Sequence, residues 1–129
     1  MLRWGIITIA LACAISGRAV AQDAAAGEKD FMVCRACHQV GPTAKDGVGP
    51  VLNGVVGRKA GTFPGYNYSA ANKNSGLTWD EATLHKYLAD PQGVVKGTKM
   101  IFPGVKDPKK LDDLIAYLKT YKADGSRVQ

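Results

Sequence analysis

Cys34, Cys37 and His38, in the run Cys34-Arg35-Ala36-Cys37-His38, are the residues of this chain whose types and spacing could do chemistry together. Residues i, i+3 and i+4 of a helical turn share a face, so two thiols and an imidazole can be directed at one flat object. Each thiol can add to a vinyl group at a porphyrin edge while the imidazole reaches the iron from one side. The pattern therefore reads as a site for covalent attachment of a c-type haem. Arg35 and Ala36 are expected only to supply the spacing. A bare Cys-x-x-Cys also serves as a thiol redox pair or as half of a zinc site. Zinc would need a second pair of ligands, but beyond residue 21 there is no further cysteine and only His85 as another histidine. A redox pair wants a strand before it and a helix beginning at it, whereas here a helical stretch runs into the motif from upstream.

A second iron ligand could come from Met32, His85 or Met100. Met32 lies two residues before Cys34 on the same element and cannot swing to the far side of a haem, so packing is its expected role. His85 sits one position away from the inner stripe of its helix, and a lone histidine on a polar face is usually solvent exposed. Met100 is the stronger candidate. Most methionines pack in a core without coordinating anything, but this one lies in Lys96-Gly97-Thr98-Lys99-Met100-Ile101-Phe102-Pro103-Gly104, a loop bounded by glycines and far from any periodic apolar face.

Positioning these groups falls to a few helices and long connections. Ala24 to Val33 reads as a helix leading into the motif, with Gly27, Phe31 and Cys34 near one face. From Gln39 to about Ser69 the chain is rich in Gly and Pro and shows no sustained periodicity. Thirty irregular residues are uncommon in a small domain, but loops can wrap a rigid apolar disc and bury their side chains against it. Ser69 to Ser75 could form a short helix closed by Gly76. Thr78 and Glu81 match a capping box for a helix that runs to Asp90 and stops at Pro91, with Leu84, Tyr87 and Leu88 facing inward. The last helix is capped by Asp107 with Pro108 at its first position, and Leu111, Leu114, Ile115 and Leu118 follow the i, i+3, i+4, i+7 pattern. Tyr117 and Tyr121 extend its buried edge before Asp124-Gly125 ends the pattern.

The first 21 residues are expected to be a cleaved secretory signal: Arg3, an apolar run from Gly5 to Ile15, and Ala19-Val20-Ala21 as cleavage site. Such a run is shorter than the roughly twenty apolar residues a membrane span needs. Cys13 lies inside it without the leucine expected three residues before a lipidated cysteine. Residues 22–129 then form one domain of 108 residues with two cysteines, both in the motif, and no disulfide. With Arg3 and Arg18 removed, 15 basic and 11 acidic side chains leave a net charge of +4. That excess suits acidic partner surfaces, and no arginine-rich run or basic helix with interleaved aromatics points to nucleic acid.

Taken with its long loops, methionine loop and terminal helix, the chain resembles class I cytochromes c, in the branch of bacterial cytochrome c2 and mitochondrial cytochrome c. The resemblance covers about Gly27 to Tyr121. It rests on Gly57-Arg58-Lys59, Tyr66-Asn67-Tyr68, Ala71-Asn72-Lys73-Asn74, Gly97 to Phe102 and Asp113-Leu114-Ile115-Ala116-Tyr117-Leu118, in family order. It implies an all-α fold of several helices and long loops around one covalent haem c, with thioethers at Cys34 and Cys37, His38 as proximal ligand and Met100 as distal ligand. It further implies that the Pro50 carbonyl accepts the second imidazole N–H, and that Arg58, Tyr68 and Trp79 serve the propionate region. Asn72, Tyr87 and Thr98 would surround the methionine sulfur, and Gly27 and Phe31 would pack against Leu114 and Tyr117.

The function so implied is a soluble periplasmic single-electron carrier, not an enzyme, working as a monomer between membrane respiratory or photosynthetic complexes. A bc1-type donor and an oxidase or reaction-centre acceptor would dock near Lys45, Lys99, Lys106 and Arg35. Family members that dock through a lysine-rich face carry two lysines where Gln92 and Gly93 stand, and lysines are common where this chain has Val33 and Gly47. Docking should therefore be less strongly steered by charge than in the most basic relatives. The rival is a peroxidase-like haem enzyme or gas sensor with an open iron position.

Overall fold

The computed structural model describes residues 21–129; the expected signal segment, apart from Ala21, lies outside the described residues, as does Cys13. Among the described residues there are five α-helices: α1 (Ala24–Asp30), α2 (Ala70–Lys73), α3 (Glu81–Ala89), α4 (Pro91–Val94) and α5 (Pro108–Lys119). Among the described residues there are no strands, only the isolated bridges Lys59 to Thr78 and Tyr121 to Arg127. The fold is all-α.

The first and last helices cross where residue 27 has no side chain. A Cβ there would stand 1.9 Å from the Asp113 carbonyl oxygen and 2.9 Å from Tyr117 Cβ, so only glycine lets the two backbones approach this closely. Asp23 starts α1 by accepting from the N–H groups of Ala25 and Ala26 at 2.9 and 3.1 Å. Its own N–H donates to Asp113 Oδ1 at 2.8 Å, which ties the start of α1 to α5. One turn later Phe31 packs on Tyr117, ring centroids 5.3 Å apart. On α5, Asp107 caps by accepting from the Lys109 N–H and Pro108 takes the first helical position. Leu111, Leu114, Ile115 and Leu118 are all buried, in one core with Leu84, Tyr87 and Leu88 of α3.

Several boundaries differ from the sequence expectation. After Asp30 the helix tightens into a 3₁₀ turn over Phe31–Val33. Met32 in that turn is 63% exposed and does not pack in the core. The cap of α3 is Asp80, whose carboxylate accepts from the Thr83 N–H at 2.7 Å, and not Thr78. Thr78 is held extended by its bridge to Lys59, which lets Trp79 turn inward before the helix begins. Glu81 pairs with Lys119 at 3.1 Å instead of reaching back. Pro91 does end α3, but its fixed φ also suits a first helical position, and the single turn of α4 starts on it with Asp90 as cap. α5 closes at Lys119, earlier than Asp124-Gly125, and the chain turns back so that Tyr121 bridges Arg127.

Residues 39–69 contain no helix, yet they are pinned at both ends. Asn53, buried, uses its amide to bond both the N–H and the carbonyl of Gly41 at 2.8 Å. Further on, the N–H of Gly57 donates to the Trp79 carbonyl, that of Trp79 to Arg58, and that of Ala60 to Leu77, each at 2.8 Å. Between these pins the loop forms one wall of a cavity.

Candidate functional site

A cavity of about 400 Å³ opens between the motif, the long loop, α3, α5 and the loop after α4. Its walls are mainly apolar, with Phe31, Leu52, Val55, Leu84, Leu88 and Leu114 among them. Cys34, Cys37 and His38 line one part. A helical turn places them there, because the N–H groups of Cys37 and His38 both donate to the Cys34 carbonyl, at 3.1 and 2.9 Å.

Burial shifts the titration of Cys34 and His38. The Cys34 thiol is pushed up to about 11, first by burial and then by its neighbour Cys37. A thiol that resists ionisation is a poor redox nucleophile, which argues against a thioredoxin-type pair. His38 is held below its ordinary value, chiefly by burial, with the Pro50 carbonyl opposing. Its Nδ1 lies 2.7 Å from that carbonyl oxygen, which can only accept, so Nδ1 carries the hydrogen. In the neutral ring the lone pair is then on Nε2, free for the cavity that His38 lines. Gly49 makes room for the ring: a Cβ there would stand 2.4 Å from His38 Cε1.

Met100 lines the same cavity. The Tyr87 hydroxyl donates to its sulfur at 3.5 Å and lies 3.4 Å from Thr98 Oγ1, which in turn accepts from the Met100 N–H at 3.2 Å. Gln92 Nε2 donates to the Thr98 carbonyl at 3.2 Å and to the Met100 carbonyl at 3.5 Å. Lys99 donates across to the Asn67 carbonyl and stands 4.9 Å from the Tyr66 ring centroid.

The remaining expected site residues, Pro50, Arg58, Tyr68, Asn72 and Trp79, also line this cavity. Arg58 donates to the Asn53 carbonyl at 2.8 Å and lies 4.9 Å from the centre of the Phe63 ring. Tyr68 accepts from the Phe63 N–H at 3.2 Å, and Trp79 packs on Tyr87 with the rings tilted and their centroids 4.6 Å apart. Asn72 makes no bond to the sulfur network. Its Oδ1 is buried without a hydrogen-bond partner among the described residues, an acceptor left over for something the cavity would hold.

Some residues stand apart from the sequence expectation. His85 is outside the cavity lining and sits 3.4 Å from Asp112 on α5. Arg35 does more than space the cysteines, since it lies over the Phe31 ring at 5.6 Å and 3.9 Å from Glu28. Gly49, Asn53 and Gln92 were not legible as site residues. The only signal for Gly49 is its place before Pro50, and nothing local distinguishes Asn53 or Gln92, whose partners are backbone groups.

These residues fit a covalently held haem: a mainly apolar cavity, two thiols on one helical turn, an imidazole with its free nitrogen fixed by Pro50, and an orphaned Asn72 acceptor. Comparison with known proteins agrees. The family model described as Cytochrome c matches residues 24–122. The chain is 58% identical over 109 residues to cytochrome c2 of Blastochloris viridis, covering 84% of this chain and 86% of that protein. It is 64% identical over 100 residues to cytochrome c2 of Rhodomicrobium vannielii, covering 78% and 80%. Among solved structures it is similar to cytochrome cH from Methylobacterium extorquens, with 63% identity and a TM-score of 0.72 over 76% of this chain and 98% of that one. The chain therefore belongs to the cytochrome c family, as a class I c-type cytochrome akin to the bacterial cytochromes c2 and carrying one covalent haem c.

Proposed function

We propose that this protein is a soluble single-electron carrier of the bacterial periplasm, anchored to its haem at Cys34 and Cys37 and ligating the iron through His38 and Met100. The observation that carries this is the convergence on one cavity of two cysteines, an imidazole locked on Pro50 and a thioether held by Tyr87. Bound there, a haem would supply reversible one-electron chemistry, with Cys34 and Cys37 holding it and His38 and Met100 as the side chains that would hold its iron.

The chain's own residues set the terms of that chemistry. The Pro50 carbonyl fixes the His38 ring and raises its basicity. Tyr87 and Thr98 hold the sulfur and the backbone beside it, so the thioether stays in place in both oxidation states. A neutral thioether together with apolar walls disfavours the extra positive charge of the oxidised form, so the reduction potential is positive. Arg58, Tyr68 and Trp79 serve the propionate side. Residues 1–21 direct export and are removed after Ala21, leaving 22–129 as the working domain, a monomer. Among the described residues no helix is long and apolar enough to cross a membrane. A bc1-type donor and an oxidase or reaction-centre acceptor dock near Lys45, Lys99, Lys106 and Arg35.

A spectroelectrochemical titration of the exported protein tests this proposal. It should give a single one-electron wave with a positive midpoint. A strongly negative midpoint would contradict it.

A further inference from the structure

We propose that Gln92 is a positioning residue for Met100: its side-chain amide clamps the two backbone carbonyls that bracket Lys99 and so holds the methionine loop closed. This rests on the proposed ligation by Met100. A glutamine amide nitrogen carries two hydrogens, and here both find carbonyl acceptors of one short segment, Thr98 at 3.2 Å and Met100 at 3.5 Å. The loop needs such a tie. Between α4 and α5 no helix orders residues 95–107, and Gly97 takes a φ of 88° that favours glycine.

The clamp is aimed by its own base. Pro91 is fully buried and opens α4, and Asp90 caps the turn by accepting from the Gly93 N–H at 3.1 Å. A Cβ at Gly93 would stand 2.1 Å from Asp90 Oδ2, so the glycine leaves room for the capping carboxylate. With the backbone fixed on either side of it, residue 92 reaches the loop from a set direction. The other ties on the loop act elsewhere. Tyr87 touches the sulfur, Thr98 Oγ1 the Met100 N–H, and Lys99 the Asn67 carbonyl. Gln92 alone among these side chains bonds the carbonyls of both Thr98 and Met100.

Substituting Glu for Gln92 keeps the length but replaces the donor with a carboxylate facing two carbonyl oxygens. Replacing it with Lys keeps N–H donors. Both hydrogen bonds are lost in the carboxylate variant, so the loop should open about 5–30-fold more often. The readout is the affinity of the oxidised holoprotein for added imidazole, a neutral ligand that must displace the sulfur, followed by the loss of the sulfur-to-iron charge-transfer absorbance.

Gln92→Glu should bind imidazole about 5–30-fold more tightly, as two lost hydrogen bonds imply. Gln92→Lys should stay near the parent, and thermal unfolding of the two variants should be alike. Equal affinity in Gln92→Glu and the parent would overturn the role of Gln92, as would an equal rise in Gln92→Lys. Met100→Ala separates the two levels. If it binds imidazole far more tightly while Gln92→Glu is unchanged, only the clamp is wrong; if Met100→Ala is itself unchanged, the sulfur is no ligand and both proposals fall.

Discussion

The Tyr87 hydroxyl donates to the Met100 sulfur across 3.5 Å, in a buried position where burial pushes its phenol up from the ordinary value. In the proposed ligation, a donor aimed at the thioether draws electron density from the sulfur and makes it a weaker partner for the more positive iron. Replacing Tyr87 with Phe removes the donor with little change of shape. The midpoint potential should fall by tens of millivolts, with the Met100 absorbance retained. An unchanged or raised potential would show that this hydrogen bond does not tune the sulfur.

At Gly27 two helices cross with no room for a side chain, and the energetic sign of adding one can be decided. Helix propensity favours Ala over Gly by about 1 kcal/mol. A methyl group placed 1.9 Å from the Asp113 carbonyl must move two helices apart, and such overpacking costs on the order of 1–3 kcal/mol or more. Crowding should win, so denaturant unfolding of Gly27→Ala holoprotein should show a clear loss. A stabilised variant would mean that the crossing is looser than described.

Asp113 links helix packing to pH. Its carboxylate lies below its ordinary value of 3.8, first because Lys109 donates to it and then because the Asp23 N–H does. A carboxyl group lowered in the folded state binds fewer protons there than in the unfolded chain. Its contribution to stability is therefore full above about pH 4 and is lost as pH falls through the lowered value. Asp113→Asn should unfold a few degrees sooner at neutral pH and show a flatter loss in acid. A variant whose acid unfolding profile matches the parent would remove Asp113 from that role.

Around the cavity mouth, apolar surface is open beside the basic side chains. Val48 and Ile101, which both line the cavity, are 76% and 97% exposed. Arg35 is paired with Glu28, while Lys99 and Lys106 keep their charge although their amines donate to the carbonyls of Asn67 and Ala89. Electron transfer with a membrane complex should fall only modestly between about 0.01 and 0.15 M salt, although the screening length drops from about 30 to about 8 Å. Ile101→Ser should slow it several-fold at both concentrations. A steep salt dependence together with a silent Ile101 variant would instead favour docking by charge alone, with no part for the apolar surface.

Much of this was legible in sequence because the informative residues act through spacing along one element. Cys34, Cys37 and His38 share a turn, and the Leu111, Leu114, Ile115 and Leu118 stripe declares a buried helix. What escaped depends on backbone groups brought from elsewhere. The choice of Asp80 over Thr78 as cap follows from the bridge between Thr78 and Lys59, a contact made by the long loop. Gly49 matters because of the His38 ring, Asn53 because of Gly41 and Arg58, and Gln92 because of carbonyls six and eight residues on. The start of α4 at Pro91 was hidden for another reason: proline stops one helix and begins another equally well.

Carbon monoxide binding by the reduced protein tests most directly whether the iron is held on both sides by side chains of this chain. The native protein should bind almost none over minutes at neutral pH, whereas Met100→Ala should bind it rapidly and one to one. Rapid stoichiometric binding by the native protein would contradict the carrier and point to an open-iron enzyme or gas sensor.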